Sequence, residues 1–278
     1  MRYKSLMAAT AVVLACTQQR AALAPAPQTA PMPAVQPAQD TGQKIPPGPG
    51  AVSVPNADPF PSTYRPFPSR PTVIRNATIL TAVGPAIRGG SVVIRDGKIV
   101  AVGTNVGIPP DALAIDGTGK FVTPGVIDTH SHLGVYAAPA VDALSDGNEL
   151  TNPATPNVWA EHSVWPQDPQ FPRALGAGVT TIQILPGSGN LFGGRSVVVK
   201  VVPSRTVRGM KFPGAKYGLK MACGENPKRV YAQRGPSTRM GNVAGYRAQW
   251  ISAEQYRRRW DQWNATRKGD APQRDLAI

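Results

Sequence analysis

The stretch Phe121-Val-Thr-Pro-Gly-Val-Ile-Asp-Thr-His-Ser-His-Leu-Gly134 most constrains what this chain can fold into. It is a short apolar run of strand-forming residues, broken once by Pro124-Gly125, and it ends in two histidines one residue apart. Alternate side chains of a strand leave the same face, so His130 and His132 project together, about 6–7 Å apart along the backbone. Two imidazoles at that spacing can converge on one ion, and neutral imidazole is the commonest metal ligand. A bare H-x-H equally describes two polar residues where a strand runs out into solvent, so the surrounding sequence has to decide.

Upstream, residues 72–120 form a run of short β-branched segments: Val73-Ile74, Ala77–Ala82, Ser91–Arg95, Lys98–Gly103 and Leu113–Asp116. Gly84-Pro85, Gly89-Gly90, Asp96-Gly97 and Pro109-Pro110 separate them, and Asp96-Gly97 is a two-residue hairpin signal. A small antiparallel sheet is predicted. Downstream, Gly134 to about Gln167 is a polar loop holding His162, which reads as an exposed bystander. Phe171–Val179 reads as a short helix ending in the Gly176-Ala177-Gly178 turn, Thr180–Leu185 as a buried strand, and Ser196–Pro203 as a third strand. Ser188–Gly194 is a backbone-permissive loop, suited to close ligand approach or to a tight turn. Lys220 lies between apolar neighbours in a strand-like segment, and a buried lysine needs a reason. Ser252-Ala-Glu-Gln255 has the form of a capping box opening a final helix. Tyr256, Trp260 and Trp263 make one aromatic face of that helix, suited to packing on an underlying sheet.

The hairpin with I-x-D-G-K-I, then D-G-x-G-K, then G-x-x-D-x-H-x-H resembles the N-terminal part of the amidohydrolase superfamily. L-K-M-A-x-G-E-N-P-K-R from Leu219 to Arg229, with Pro236-Ser-Thr-Arg-Met-Gly241, resembles its imidazolonepropionase-related and prolidase-like branch. The resemblance runs from Thr72 to Ile278. It implies an α/β fold: a small β-sandwich unit over 72–120, then a TIM-type (β/α)8 barrel from residue 121. It also implies a metal-dependent hydrolase of C–N bonds, acting on a small-molecule amide or dipeptide-like substrate. The implied cofactor is a divalent metal, zinc by preference, as one or two ions. His130 and His132 are its implied ligands, with Lys220 carboxylated and bridging. The family's full ligand set adds a histidine after each of strands five and six and an aspartate after strand eight, four histidines in all. This sequence has three. Only 158 residues follow Lys120, against about 250 for a typical barrel. The resemblance therefore implies a partial barrel, without useful hydrolase activity as it stands. A non-catalytic fragment, or a binding protein with a basic surface, is the alternative.

The N-terminus adds an export signal. Arg2 and Lys4 precede an apolar run from Leu6 to Ala15, too short to span a bilayer, and small residues follow it, so residues 1–24 read as a secretory signal peptide. Val13-Leu14-Ala15-Cys16 resembles a bacterial lipobox, with Cys16 lipidated. Ala22-Leu23-Ala24 fits the A-x-A pattern, but Pro25 hinders cleavage there. Cys16 is favoured because it directly follows the apolar core, which places the protein in the periplasm or anchored to a membrane. Residues 25–71, rich in Pro, Ala and Gln, read as an extended linker, with an ordered arm conceivable only at Tyr64–Pro71. The net charge of +14 arises almost wholly from Arg195 onward, where 18 Lys or Arg face 5 Asp or Glu. These residues are scattered and match no nucleic-acid-binding motif, so no nucleic-acid partner is assigned.

Overall fold

A computed structural model describes residues 58–273. Its first layer is a five-stranded sheet built from β1 (Thr72–Ile79), β2 (Ile87–Arg95), β3 (Lys98–Gly103), β4 (Leu113–Asp116) and β5 (Phe121–Val122). The order is β3-β2-β1-β4, with β5 pairing further along β1. The β1–β2–β3 meander is antiparallel, whereas β4 and β5 run parallel to β1, so the sheet is mixed. Asp96 and Gly97 both have positive φ, 53° and 71°, as the tight hairpin between β2 and β3 requires. The two segments predicted at 73–74 and 77–82 are one strand. Asn76 bulges between them at φ 58°, and its Nδ2 donates to Asp116 Oδ1 at 3.2 Å. Ala77, Ile79 and Val92 form the small core of this sheet.

The H-x-H segment is β6 (Val126–Ser131), followed by a long loop, α1 (Gln170–Gly176) and β7 (Val179–Ile184). β6 and β7 pair in parallel, so loop and helix make a crossover of the kind that repeats around a (β/α) barrel. The next elements are β8 (Phe192–Arg195), β9 (Val197–Lys200), α2 (Val207–Met210) and β10 (Leu219–Met221). The predicted third strand is present as β9, but it runs antiparallel to β7 and does not extend the parallel series. No helix lies between Ile184 and Val197, so the chain doubles back instead of crossing over. β10, which carries Lys220, pairs antiparallel with β8 and not with a barrel strand. Ile182, Ile184, Val197, Val199 and Phe171 form the larger core with Val135, Val164 and Met210. Each such buried side chain stabilises the fold by roughly 1.5–3 kcal/mol.

α3 (Glu225–Val230) leads to the long α4 (Arg239–Thr266). Ser252 does not open this helix, contrary to the capping-box expectation. The helix starts thirteen residues earlier than Ser252, capped by Thr238, whose Oγ1 accepts from the Gly241 N–H at 3.0 Å. Ser252 is internal, and Glu254 pairs with Arg257 and Arg258 on the surface. Gly241 and Gly245 lower the helix propensity of the first turns and hid that start. The ring contacts with the strands come from Tyr246 and Trp250 on Phe192, while Tyr256, Trp260 and Trp263 stack edge-to-face on one another.

The linker reading also changes at its end. Ser62 Oγ donates to Lys211 O at 2.6 Å, Thr63 N to Arg208 O at 2.9 Å, and Arg208 Nε to Pro61 O at 3.0 Å. Asp58–Thr63 is therefore a strap on the domain, held by polar groups that a search for apolar content passes over. The signal peptide, Cys16 and linker residues 25–57 lie outside the described residues, as do residues 274–278. Among the described residues no helix is long and apolar enough to cross a membrane.

Candidate metal centre

His130 is the penultimate residue of β6 and His132 follows the strand's end. Their rings meet edge-to-face with centroids 5.4 Å apart. The same-face projection predicted from i, i+2 spacing is thus what the strand delivers. Asp128 Oδ1 accepts from the His130 N–H at 3.0 Å, which fixes the backbone between the last apolar residue and the first histidine.

His132 is the better-defined donor. Its Nδ1 lies 2.9 Å from Leu185 O, just beyond the end of the neighbouring strand β7. A carbonyl only accepts, so the proton sits on Nδ1 and the lone pair on Nε2. A hydrogen bond from the second nitrogen to a carbonyl is how metal-binding histidines are commonly fixed. Burial lowers the pKa of this imidazole, the neighbouring Lys220 and His130 push the same way, and the Leu185 bond only partly opposes them. The ring is therefore held neutral, as ligation requires.

Lys220 reaches the same place from β10. It is buried, and its Nζ stands 3.4 Å from His130 Nε2. Desolvation lowers its pKa, which favours the neutral amine. Gly193 on β8 lies against this side chain: a Cβ there would stand a tight 3.3 Å from both Lys220 Cγ and Gly187 O. The last residues of Ser188–Gly194 thus pack closely against the Lys220 side chain. The three residues singled out in the sequence come together, although Lys220 arrives by an antiparallel strand.

His162 does not join them. It is exposed, and its ring contacts are with Phe60 at 4.9 Å and Trp159 at 6.2 Å. Among the described residues no group of three or more His, Cys, Asp or Glu converges as a metal cage. The donor set is two imidazoles and one amine. Neutral nitrogen donors suit zinc and other borderline metals, and a carboxylated Lys220 would add oxygen, so the residues fit a divalent ion.

Sequence reasoning missed Tyr136, whose ring stands edge-on to His132 at 5.7 Å. Its hydroxyl accepts from Asn148 Nδ2, and Asn148 Oδ1 accepts from Gly189 N at 2.9 Å, tying the long loop to the glycine-rich one. It missed Leu185 as well, because a backbone acceptor leaves no mark in residue identity.

No protein-family model matches the chain. Among individual proteins, it is 34% identical over 223 residues to the amidohydrolase tasK of Hapsidospora irregularis, covering 70% of this chain and 23% of that protein. It is 32% identical over 122 residues to an imidazolonepropionase of Alkaliphilus metalliredigens, covering 37% of this chain and 29% of the relative. In structure it is similar to an amidohydrolase from Thermotoga maritima, with TM-score 0.68 and 39% identity over 74% of this chain and 53% of that one. The chain belongs to the amidohydrolase superfamily. It spans from about a quarter to about half of the length of these relatives.

Proposed function

We propose that this chain supplies the metal-binding arm of a hydrolase that cleaves C–N bonds in small amides, cyclic amides or dipeptide-like substrates. The observation that carries the reading is the convergence of His130, His132 and Lys220. His132 would hold the metal through Nε2 because Leu185 O takes the Nδ1 proton. His130 would share it, and Lys220 would bind after its neutral amine adds carbon dioxide, giving a carbamate and releasing a proton. A bound divalent ion, zinc by preference, supplies Lewis-acid activation of water and polarisation of a carbonyl. Proteins similar to this chain are named amidohydrolase and imidazolonepropionase, which supports the reaction class.

The site as described has no third histidine or carboxylate converging on it, so the 278-residue chain alone is expected to bind metal without useful turnover. The test has two parts. With zinc and carbon-13 bicarbonate, the chain should show a carbamate resonance that is absent in Lys220→Met. A panel of dipeptides and cyclic amides should release no amine. Zinc-dependent release that disappears in His130→Ala contradicts the restriction to a binding arm. A missing carbamate with zinc bound contradicts the bridging role of Lys220. Export, with lipidation at Cys16, is part of the same proposal and rests on the N-terminal sequence. Intact-mass analysis after expression in a bacterial host checks it, and a product retaining Arg2 to Ala15 without lipid contradicts it.

A further inference from the structure

Asp168 is fully buried, at 0% exposure, and no ion pair compensates it among the described residues. A carboxylate taken out of water must find hydrogen-bond donors instead. Four N–H groups supply them. Gln170 gives two, its backbone N to Oδ1 at 3.0 Å and its Nε2 to Oδ2 at 3.0 Å, and these serve the entry into α1. The other two come from far along the chain: Gly134 N to Oδ2 at 2.9 Å and Ala138 N to Oδ1 at 3.4 Å.

Those distant donors flank the turn that leaves the metal centre. Within it the His132 carbonyl accepts from Val135 N at 3.3 Å and Tyr136 N at 3.2 Å, and Gly134 holds φ 78°. The left-handed glycine turns the chain so that its N–H points into the Asp168 carboxylate. His132 is thereby fixed from two sides, its ring by Leu185 O and the backbone after it by Asp168. For capping α1 alone, a serine or threonine in a partly wet position would serve. A buried, unpaired carboxylate shared between α1 and the His132 turn calls for a further role.

We propose that Asp168 is a positioning residue of the metal centre: by holding the Gly134 amide it fixes the turn that aims the His132 imidazole. The consequence for metal affinity rests on the metal-centre reading above, whereas the orientation of the ring does not. Partners that orient metal ligands typically cost 10–100-fold in affinity when removed.

The test uses Asp168→Asn, which keeps the shape but offers one acceptor oxygen where two are needed, in the full chain labelled with nitrogen-15 histidine. Three quantities are followed: the slowly exchanging His132 Nδ1 proton, zinc affinity by chelator competition, and amide protection at Ile182 and Val199. In Asp168→Asn the Nδ1 proton should be lost to exchange and zinc affinity should fall 10–100-fold, with core protection retained. Gln170→Ala keeps its backbone N–H on Oδ1 and removes only the Nε2 donor, which also holds Tyr136 O at 3.1 Å, while the Gly134 bond to Asp168 stays, so it should lower the melting temperature and leave the His132 Nδ1 proton and zinc affinity close to wild type. If Asp168→Asn does not fold, Asp168→Glu keeps the charge, displaces both oxygens and is read in the same way. A folded variant with wild-type Nδ1 proton and zinc affinity and only a lower melting temperature overturns the proposal. A wild-type chain that takes up no zinc, yet loses the Nδ1 proton in Asp168→Asn, supports the positioning role and overturns the metal reading.

Discussion

Two lysines of this chain are almost wholly removed from water, Lys211 at 2% and Lys220 at 5% exposure, and their surroundings could hardly differ more. Lys211 Nζ, with three N–H donors, is ringed by Glu161 Oε2 at 2.8 Å, Asp58 Oδ1 at 2.9 Å, Phe60 O at 2.7 Å and the Tyr217 hydroxyl. Tyr217 in turn bonds Asp58 and Glu161, and its pKa is driven up by burial and by those two carboxylates, so it stays a neutral donor. This amine is a structural cation that pins the Asp58–Thr63 strap to the domain. Among the described residues Lys220 Nζ has one hydrogen-bond contact, His130 Nε2 at 3.4 Å. Burial without compensation destabilises its charged form, and a fold tolerates that where the amine has chemistry to perform. Burial alone therefore does not assign a role to a lysine; the acceptors around its amine distinguish these two.

The largest effect that would break this contrast is at Lys211. Lys211→Met leaves Glu161 buried without its cation and should cost about 3–5 kcal/mol, read from denaturant unfolding. An unchanged midpoint would mean the cluster contributes nothing. Acid should weaken the same contact. Burial raises the pKa of Asp58, but hydrogen bonds with Lys211 and Tyr217 outweigh it and leave the carboxyl below its usual value. The stabilisation is thus complete above the unfolded pKa of about 3.9 and is lost as the pH falls through the lower folded value. Tyr217→Phe removes hydrogen bonds to charged groups and should cost about 1.5–3 kcal/mol.

Lys220→Met should behave in the opposite sense. In metal-free protein it removes an amine whose burial is poorly compensated and should raise stability by about 1 kcal/mol or more. Destabilisation comparable to Lys211→Met would show a structural role instead. The smallest expected effects are in α4 and calibrate the others. Thr238→Ala should cost about 1 kcal/mol as the loss of an N-cap, while Ser252→Ala should lie within about 0.5 kcal/mol of wild type. A larger cost at Ser252 than at Thr238 would restore the later helix start.

What could be read from the sequence follows how local each signal is. His130 and His132 were legible because the period of a strand fixes two side chains without reference to the rest of the fold. Lys220 was legible because a charge among apolar strand residues stands out, although the strand order bringing it to His130 was not. Lys211 gave no such signal: its partner Asp58 lies 153 residues away, in a segment whose proline content reads as linker. Asp168 is likewise invisible without its contacts across 34 residues to Gly134. The direction of β9 depends on what lies between it and β7, and strand propensity carries no direction.

The central claim is that His130, His132 and Lys220 form one metal centre, and equilibrium dialysis against zinc in bicarbonate buffer tests it most directly. Wild-type chain should retain at least one zinc per molecule, the double variant His130→Ala/His132→Ala should retain none, and Lys220→Met should bind more weakly while His162→Ala binds as wild type. Equal zinc uptake by wild type and the double histidine variant would contradict the account.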